Sequence, residues 1–200
     1  MSDLKITFPL TKLPDVDREG GMPLMKALAN RKSARNFSSK PLDLKTISEL
    51  LWAASGINRP DGRRTAPTAV NWQEIDIYIT LKEGLFLYDH KNHALKGIIE
   101  KDLRAHAGRQ HFTETAPVNL IFVSNYNNIT GKYADNIEMK KFYSATDTGF
   151  ISQNVYLYCA SRGLITVVLG IVDRDELKKH MNLADQQHIV LSQTVGWEEP

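Results

Sequence analysis

The chain has 200 residues, of which 42% are hydrophobic and 24% charged, with a formal net charge of +2; this suits one globular domain with a sizeable core. So small a net charge excludes a molecule-wide field for nucleic acid or an anionic membrane, and any anion site must be local. Cys159 is the only cysteine, which excludes an intrachain disulfide and a thiolate metal cluster.

Residues 1–21 carry Pro9, Pro14, Gly20 and Gly21 and read as an extended arm outside the core, ahead of a single domain at 22–200. The start of the chain lacks the basic and apolar regions of a signal peptide. No stretch approaches the roughly 20 apolar residues of a membrane span. A cytoplasmic protein is expected, unless an export signal has been trimmed away.

MPLMKALANR predicts a short amphipathic helix through Met22, Leu24, Met25, Ala27 and Leu28. Its end runs into ANRKSARNFSS (29–39), where Arg31, Lys32 and Arg35 fall within five residues and no acid occurs between Glu19 and Asp43. Such cations either complement the helix dipole or wait for an anion. PLDLKTISELLWAASG predicts a helix capped by Asp43 and stopped by Gly56, with Leu44, Ile47, Leu50, Leu51 and Ala54 on one face. A loop with Pro60, Gly62 and Pro67 follows. Ile75, Ile77, Ile79 and Leu81 then alternate as a strand, and 83–98 reads as a hairpin turning at Asp89–Asn92. PVNLIFVSN predicts a strand buried on both faces. Residues 143–162 read as a central helix ending at Gly163, LITVVLG as a strand, DRDELKKHM as an exposed helix, and QHIVLSQTVG as a last strand. The order implies an α+β fold with helices packed about one sheet.

Hydrolase and nucleotide signatures (G-x-S-x-G, the Walker loop, G-x-G-x-x-G) are missing. His90 and His93 fall in the predicted hairpin turn, His106 and His111 pair with no nucleophile, and His180 and His188 read as surface residues, so no metal is expected. The cations near Trp72 lack the aromatic-studded strands or recognition helix of a nucleic-acid binder. A second segment, RRTAPTAVNWQ (63–73), offers Thr65, Thr68, Asn71 and Gln73 as hydrogen-bonding groups around a planar ligand, with Pro67 and small alanines leaving its backbone approachable.

NRKSARNF followed by APTAVNWQ resembles the FMN-dependent nitroreductase family. LLWAASGINRP, DTGFISQNVYLYCASRGLITVVLG and TVGWEEP resemble its connecting helix, long interface helix with flavin-edge strand, and terminal strand, in that order. The resemblance covers residue 22 to the C-terminus. It implies a three-layer fold with a central, mainly antiparallel sheet flanked by helices, and a homodimer with FMN at the interface. RRTAP, the GLFLYD hairpin and ISQN are similar to the azoline-dehydrogenase subgroup, which oxidises heterocycles in peptides, whereas Asn71 and Gln73 are more like general nitroreductases.

Residue by residue, the resemblance implies that Arg31, Ser33 and Arg35, with Lys32, hold the FMN phosphate and ribityl chain. Pro67, Thr68, Ala69, Asn71 and Gln73 would lie along the flavin of the partner subunit, and Val168, Leu169 and Gly170 along the isoalloxazine edge, with a backbone N–H near N5. Many relatives end in a tail carrying a phosphate-binding cation. Here the last residues are Glu198, Glu199 and Pro200, so either Arg63 or Arg64 substitutes, Arg64 being preferred, or phosphate binding is weaker than in the family. The implied reaction is hydride transfer from NAD(P)H through FMN to a small electron-poor acceptor such as a nitroaromatic or quinone. The alternatives are oxidation of a peptide heterocycle and flavin binding without turnover.

Overall fold

In the computed structural model, residues 6–199 are described; the first five residues of the expected arm and Pro200 lie outside the described residues. The arm is extended but belongs to the sheet: Leu10–Lys12 (β1) pairs with the outer strand of the hairpin, and Thr11 and Leu13 are buried. That outer strand offers an unpaired edge of backbone groups, which a passing extended segment satisfies.

Leu24–Asn30 (α1) and Leu44–Ser55 (α2) follow. The Asp43 carboxylate accepts the Thr46 N–H at 2.7 Å, and the Gly56 N–H donates to the Trp52 carbonyl at 2.7 Å, closing α2 at both ends. Ile75–Leu81 (β2), Gly84–Asp89 (β3), Ala94–Ile99 (β4), Val118–Asn125 (β5), Ile165–Leu169 (β6) and Gln187–Gly196 (β7) complete a seven-stranded sheet of order β1-β4-β3-β2-β5-β7-β6, antiparallel throughout. Phe112–Thr115 (α3), Ile137–Arg162 (α4) and Arg174–His180 (α5) are the remaining α-helices.

Strand alternation divides the core in two. Ile75, Ile77 and Ile79 of β2 and Leu120 and Phe122 of β5 pack with Leu50 and Leu51 of α2 and Ile151 and Val155 of α4. Tyr78, Ile121 and Val123 face the other way, against Leu103, Leu177 and Met181. The three-layer α+β architecture is therefore as expected. The long helix starts at Ile137 rather than near Tyr143, because the Asn136 side chain accepts the Met139 N–H at 3.0 Å. Its first turns point their apolar residues outward, Ile137 and Phe142 being exposed, so no core-facing period marks them. Among the described residues no helix is long and apolar enough to cross a membrane.

Candidate functional site

The basic cluster leaves α1 and runs as an extended segment beside the edge strand β6. Ala34 N–H donates to the Thr166 carbonyl at 3.2 Å, Ser38 N–H to Trp197 at 2.9 Å, and Glu199 N–H to Asn36 at 2.9 Å. Phe37 is buried with Ala116, Ile165, Val167 and Leu169 and stacks on Phe112, centroids 5.2 Å apart. The aromatic residue of the motif is thus an anchor that fixes where the cations sit. Lys32 Nζ lies 3.2 Å from Glu198, an exposed pair of little energetic weight. Arg35 is exposed and, among the described residues, forms no ion pair.

Tyr156, on α4, gathers the rest. Its hydroxyl accepts the Val168 N–H at 3.1 Å and lies 2.8 Å from Ser33 Oγ, while the Arg31 guanidinium lies 5.4 Å from the centre of its ring. Either hydroxyl can donate in the Tyr156–Ser33 contact; when the phenol donates, the Ser33 proton is free for an outside acceptor. One buried side chain thereby joins the basic segment to the 168–170 segment. Leu169 is buried, Gly170 exposed, and Val168 between the two. Position 156 sits in a run of helix residues whose pattern says only "packing", so sequence reasoning passed over it.

The 63–73 segment is placed elsewhere. Ala69 N–H donates to Asp147 Oδ2 at 2.8 Å, and Trp72 packs edge-on against Tyr143 at 5.5 Å. Asp147 precedes Tyr156 by nine residues on α4, about 14 Å at 1.5 Å per residue. Within one chain the two predicted half-sites are therefore apart. Val70, Asn71 and Gln73 have φ of 50°, 58° and 52°, a left-handed conformation that is costly for a β-branched valine. Thr68 Oγ1 accepts the Gln73 N–H at 3.1 Å, and the Gln73 amide donates to Asn71 Oδ1 at 3.1 Å. Pro67 and Val70 are exposed.

Below this segment lies a residue the sequence did not announce. Glu74 is 0% exposed, and neither carboxylate oxygen has a donor. It faces Asp147, and the two carboxyls share a hydrogen bond only when one is protonated. Burial pushes Glu74 up to about 7, with the Asp147 charge adding to the rise, and burial also raises Asp147. An acid just before an apolar strand, and another on the buried face of a helix, were the available signals.

The structure does not bring Arg64 to the Arg31 cluster. Its Nη1 donates to the Ile75 carbonyl at 3.4 Å, among Asp76, Tyr88 and Glu74, and burial lowers its pKa. It balances buried acids, with Asp76 still raised to about 6 by burial. Arg63 pairs with Asp61 at 3.0 Å. Apolar side chains remain on the outside of α1 and α4, including Met25 (76% exposed) and Phe142 (60%), and Val70 of the 63–73 segment is 80% exposed. An open groove of about 480 Å³ between α1, α2 and α4 is lined by Leu24, Trp52 and Leu157 among others.

Comparison with known proteins gives a consistent answer. The model of the nitroreductase family matches residues 28–197. A protein of Methanocaldococcus jannaschii named for the nitroreductases is 30% identical over 185 residues, covering 87% of this chain and 90% of that one. A crystal structure from Ralstonia eutropha, also named for the nitroreductases, superposes with a TM-score of 0.90 at 42% identity, over 96% of this chain and 90% of its own. The microcin synthetase McbBCD complex of E. coli, with truncated pro-MccB17 bound, shares the fold at a TM-score of 0.72 and 18% identity, over 100% of this chain and 80% of that one.

Proposed function

The chain belongs to the nitroreductase family, and on that premise we propose that it is an FMN-dependent oxidoreductase that works as a homodimer. The observation that carries this reading is the Tyr156 junction, which sets Arg31, Ser33 and the 168–170 segment around one point. The donor set fits a phosphate: Arg35 has no anion of its own among the described residues, Arg31 is stacked in place, and Ser33 can give its proton when the Tyr156 phenol donates to it. When bound there, FMN supplies hydride transfer from NAD(P)H to an electron-poor acceptor such as a nitroaromatic or quinone.

Arg31, Ser33 and Arg35, with Lys32, hold the phosphate and ribityl chain. Arg64 is left out, because its guanidinium is committed to buried acids. Leu169 and Gly170 line the flavin edge next to Val168, whose N–H is already taken by Tyr156. Pro67, Thr68, Ala69, Asn71 and Gln73 serve the flavin of the partner subunit, a reading supported by their separation of about 14 Å along α4 from the Tyr156 junction. The exposed apolar side chains of α1, α4 and Val70 supply the surface that such a dimer buries.

The direct test is a visible spectrum of the purified protein, followed by anaerobic addition of NADH and then NADPH. Flavin bands that bleach are expected. A protein that is colourless and takes up no added FMN would sink the proposal, and bands that persist with both donors would favour oxidation of a peptide heterocycle or silent flavin binding. Tyr156→Phe removes the partner of Val168 N–H and the link to Ser33. It is expected to weaken FMN binding about tenfold, from one to two hydrogen bonds of about 1 kcal/mol each, measured by fluorescence titration. Unchanged affinity would show that the junction does not organise the site.

A further inference from the structure

His106, at the end of the turn formed by residues 104–106, meets Glu176 and His180 of α5, and one ligand-capable atom from each lies within 4.8 Å of the others. The two imidazoles stack with centroids 4.0 Å apart and planes at 32°. His180 Nε2 lies 3.5 Å from Glu176 Oε1. The fold builds this convergence. Glu176 and His180 are one helical turn apart on the same side of α5, and Leu103 and Leu177 are buried in one core cluster that fixes the turn against the helix. Arg104 Nη1 donates to the Ala116 carbonyl at 3.1 Å and holds the turn from its other side. A cavity of about 260 Å³, lined by His106, Gly108, Arg109, Asp173 and Glu176, opens over the cluster.

We propose that His106, Glu176 and His180 form a binding site for a divalent transition-metal ion, of which Zn²⁺ is the best match. Two imidazole nitrogens and one carboxylate oxygen are a ligand set suited to that ion, and the cavity leaves the fourth position to water. A tetrahedral ion with bonds of about 2.1 Å spaces its ligands about 3.4 Å apart. The side chains must therefore close by up to about 1.4 Å, within reach of χ rotation for a Glu176 side chain that is 59% exposed. Lys101 is a nearby cation; Arg109, on the rim, is paired with Asp173 at 3.3 Å.

Metal bound here ties the turn to α5. The next residues of that segment touch the flavin-edge region: Arg109 N–H donates to the Ile171 carbonyl at 3.3 Å, and a Cβ on Gly108 would collide with Leu169 Cδ1 at 2.8 Å. The ligands themselves take no part in the phosphate cluster, so the site stands apart from the flavin reading. The sequence led to an expectation of no metal because nothing along the chain joins His106 to a helix that begins at Arg174.

Equilibrium dialysis of the chelator-stripped full-length protein against Zn²⁺, with melting curves of the stripped and loaded forms, tests this. One ion per chain at micromolar Zn²⁺ and a higher melting temperature are expected. His106→Ala and His180→Ala should each weaken binding by at least the roughly tenfold typical of losing even an outer-sphere partner, and abolish the melting shift. Their metal-free melting curves check that they fold, and His111→Ala should bind like the parent. The proposal is overturned by no stoichiometric uptake, or by two folded variants that bind as well as the parent.

Discussion

Replacing Arg31 and Arg35 together by alanine is expected to strip FMN from a protein that stays folded. Each charge-assisted hydrogen bond to a phosphate contributes roughly 1.5–3 kcal/mol, so losing two weakens binding by at least about a hundredfold. The cost to the fold is small. Arg35 has no ion-pair partner among the described residues, and the Arg31 stack on Tyr156 is worth about 1 kcal/mol. Phe37, which holds the segment in place, is untouched. The measurement is flavin content per chain after gel filtration, beside a melting curve. Full flavin content in the double variant would refute the phosphate role; loss of flavin together with collapse of the melting transition would show that the two arginines hold the fold instead.

Replacing Glu74 by glutamine should make the protein more stable at alkaline pH, an unusual outcome for a buried substitution. The protonated form of Glu74 donates to Asp147, which in turn accepts from Ala69 N–H. A glutamine amide can donate in the same way without titrating. In the folded protein Glu74 titrates at about 7, against an ordinary 4.5. Between these values the native state holds a proton that the unfolded chain has released, so stability falls as pH rises through the window and levels off above it. The difference is on the order of 3 kcal/mol. Glu74→Gln should match the parent near pH 5 and exceed it near pH 8, as read by denaturant midpoints. A stability difference that does not vary with pH would dispose of the shared-proton pair. Asp76, raised in the same direction with Arg64 opposing, is common to both proteins and cancels.

The two predictions differ in how much of their ground the sequence showed. The arginine cluster was legible in eleven letters, because a run of cations with no acid between Glu19 and Asp43 is a local fact. So were the two ends of α2, where Asp43 and Gly56 act within a turn of their own positions. The alternation of β2 and the double-sided burial of β5 followed from side-chain period alone. Arg64 shows the limit. Its neighbours in the chain place it beside the segment expected to contact the flavin, yet it is buried among Asp76, Tyr88 and Glu74.

By itself, then, the sequence determined most of the elements and their order, the α+β class and the resemblance to a flavoenzyme family, since capping, periodicity and motif spacing act over a few residues. Only the tertiary structure decided which side chains meet. It brought Tyr156 to Ser33 and Val168, Glu74 to Asp147, His106 to His180, and the arm's Leu10–Lys12 to the edge of β4. Each of these pairings joins positions far apart in the chain, where the energy of a hydrogen bond or a buried charge depends on the packing between them, and the local pattern at either end carries no trace of its partner.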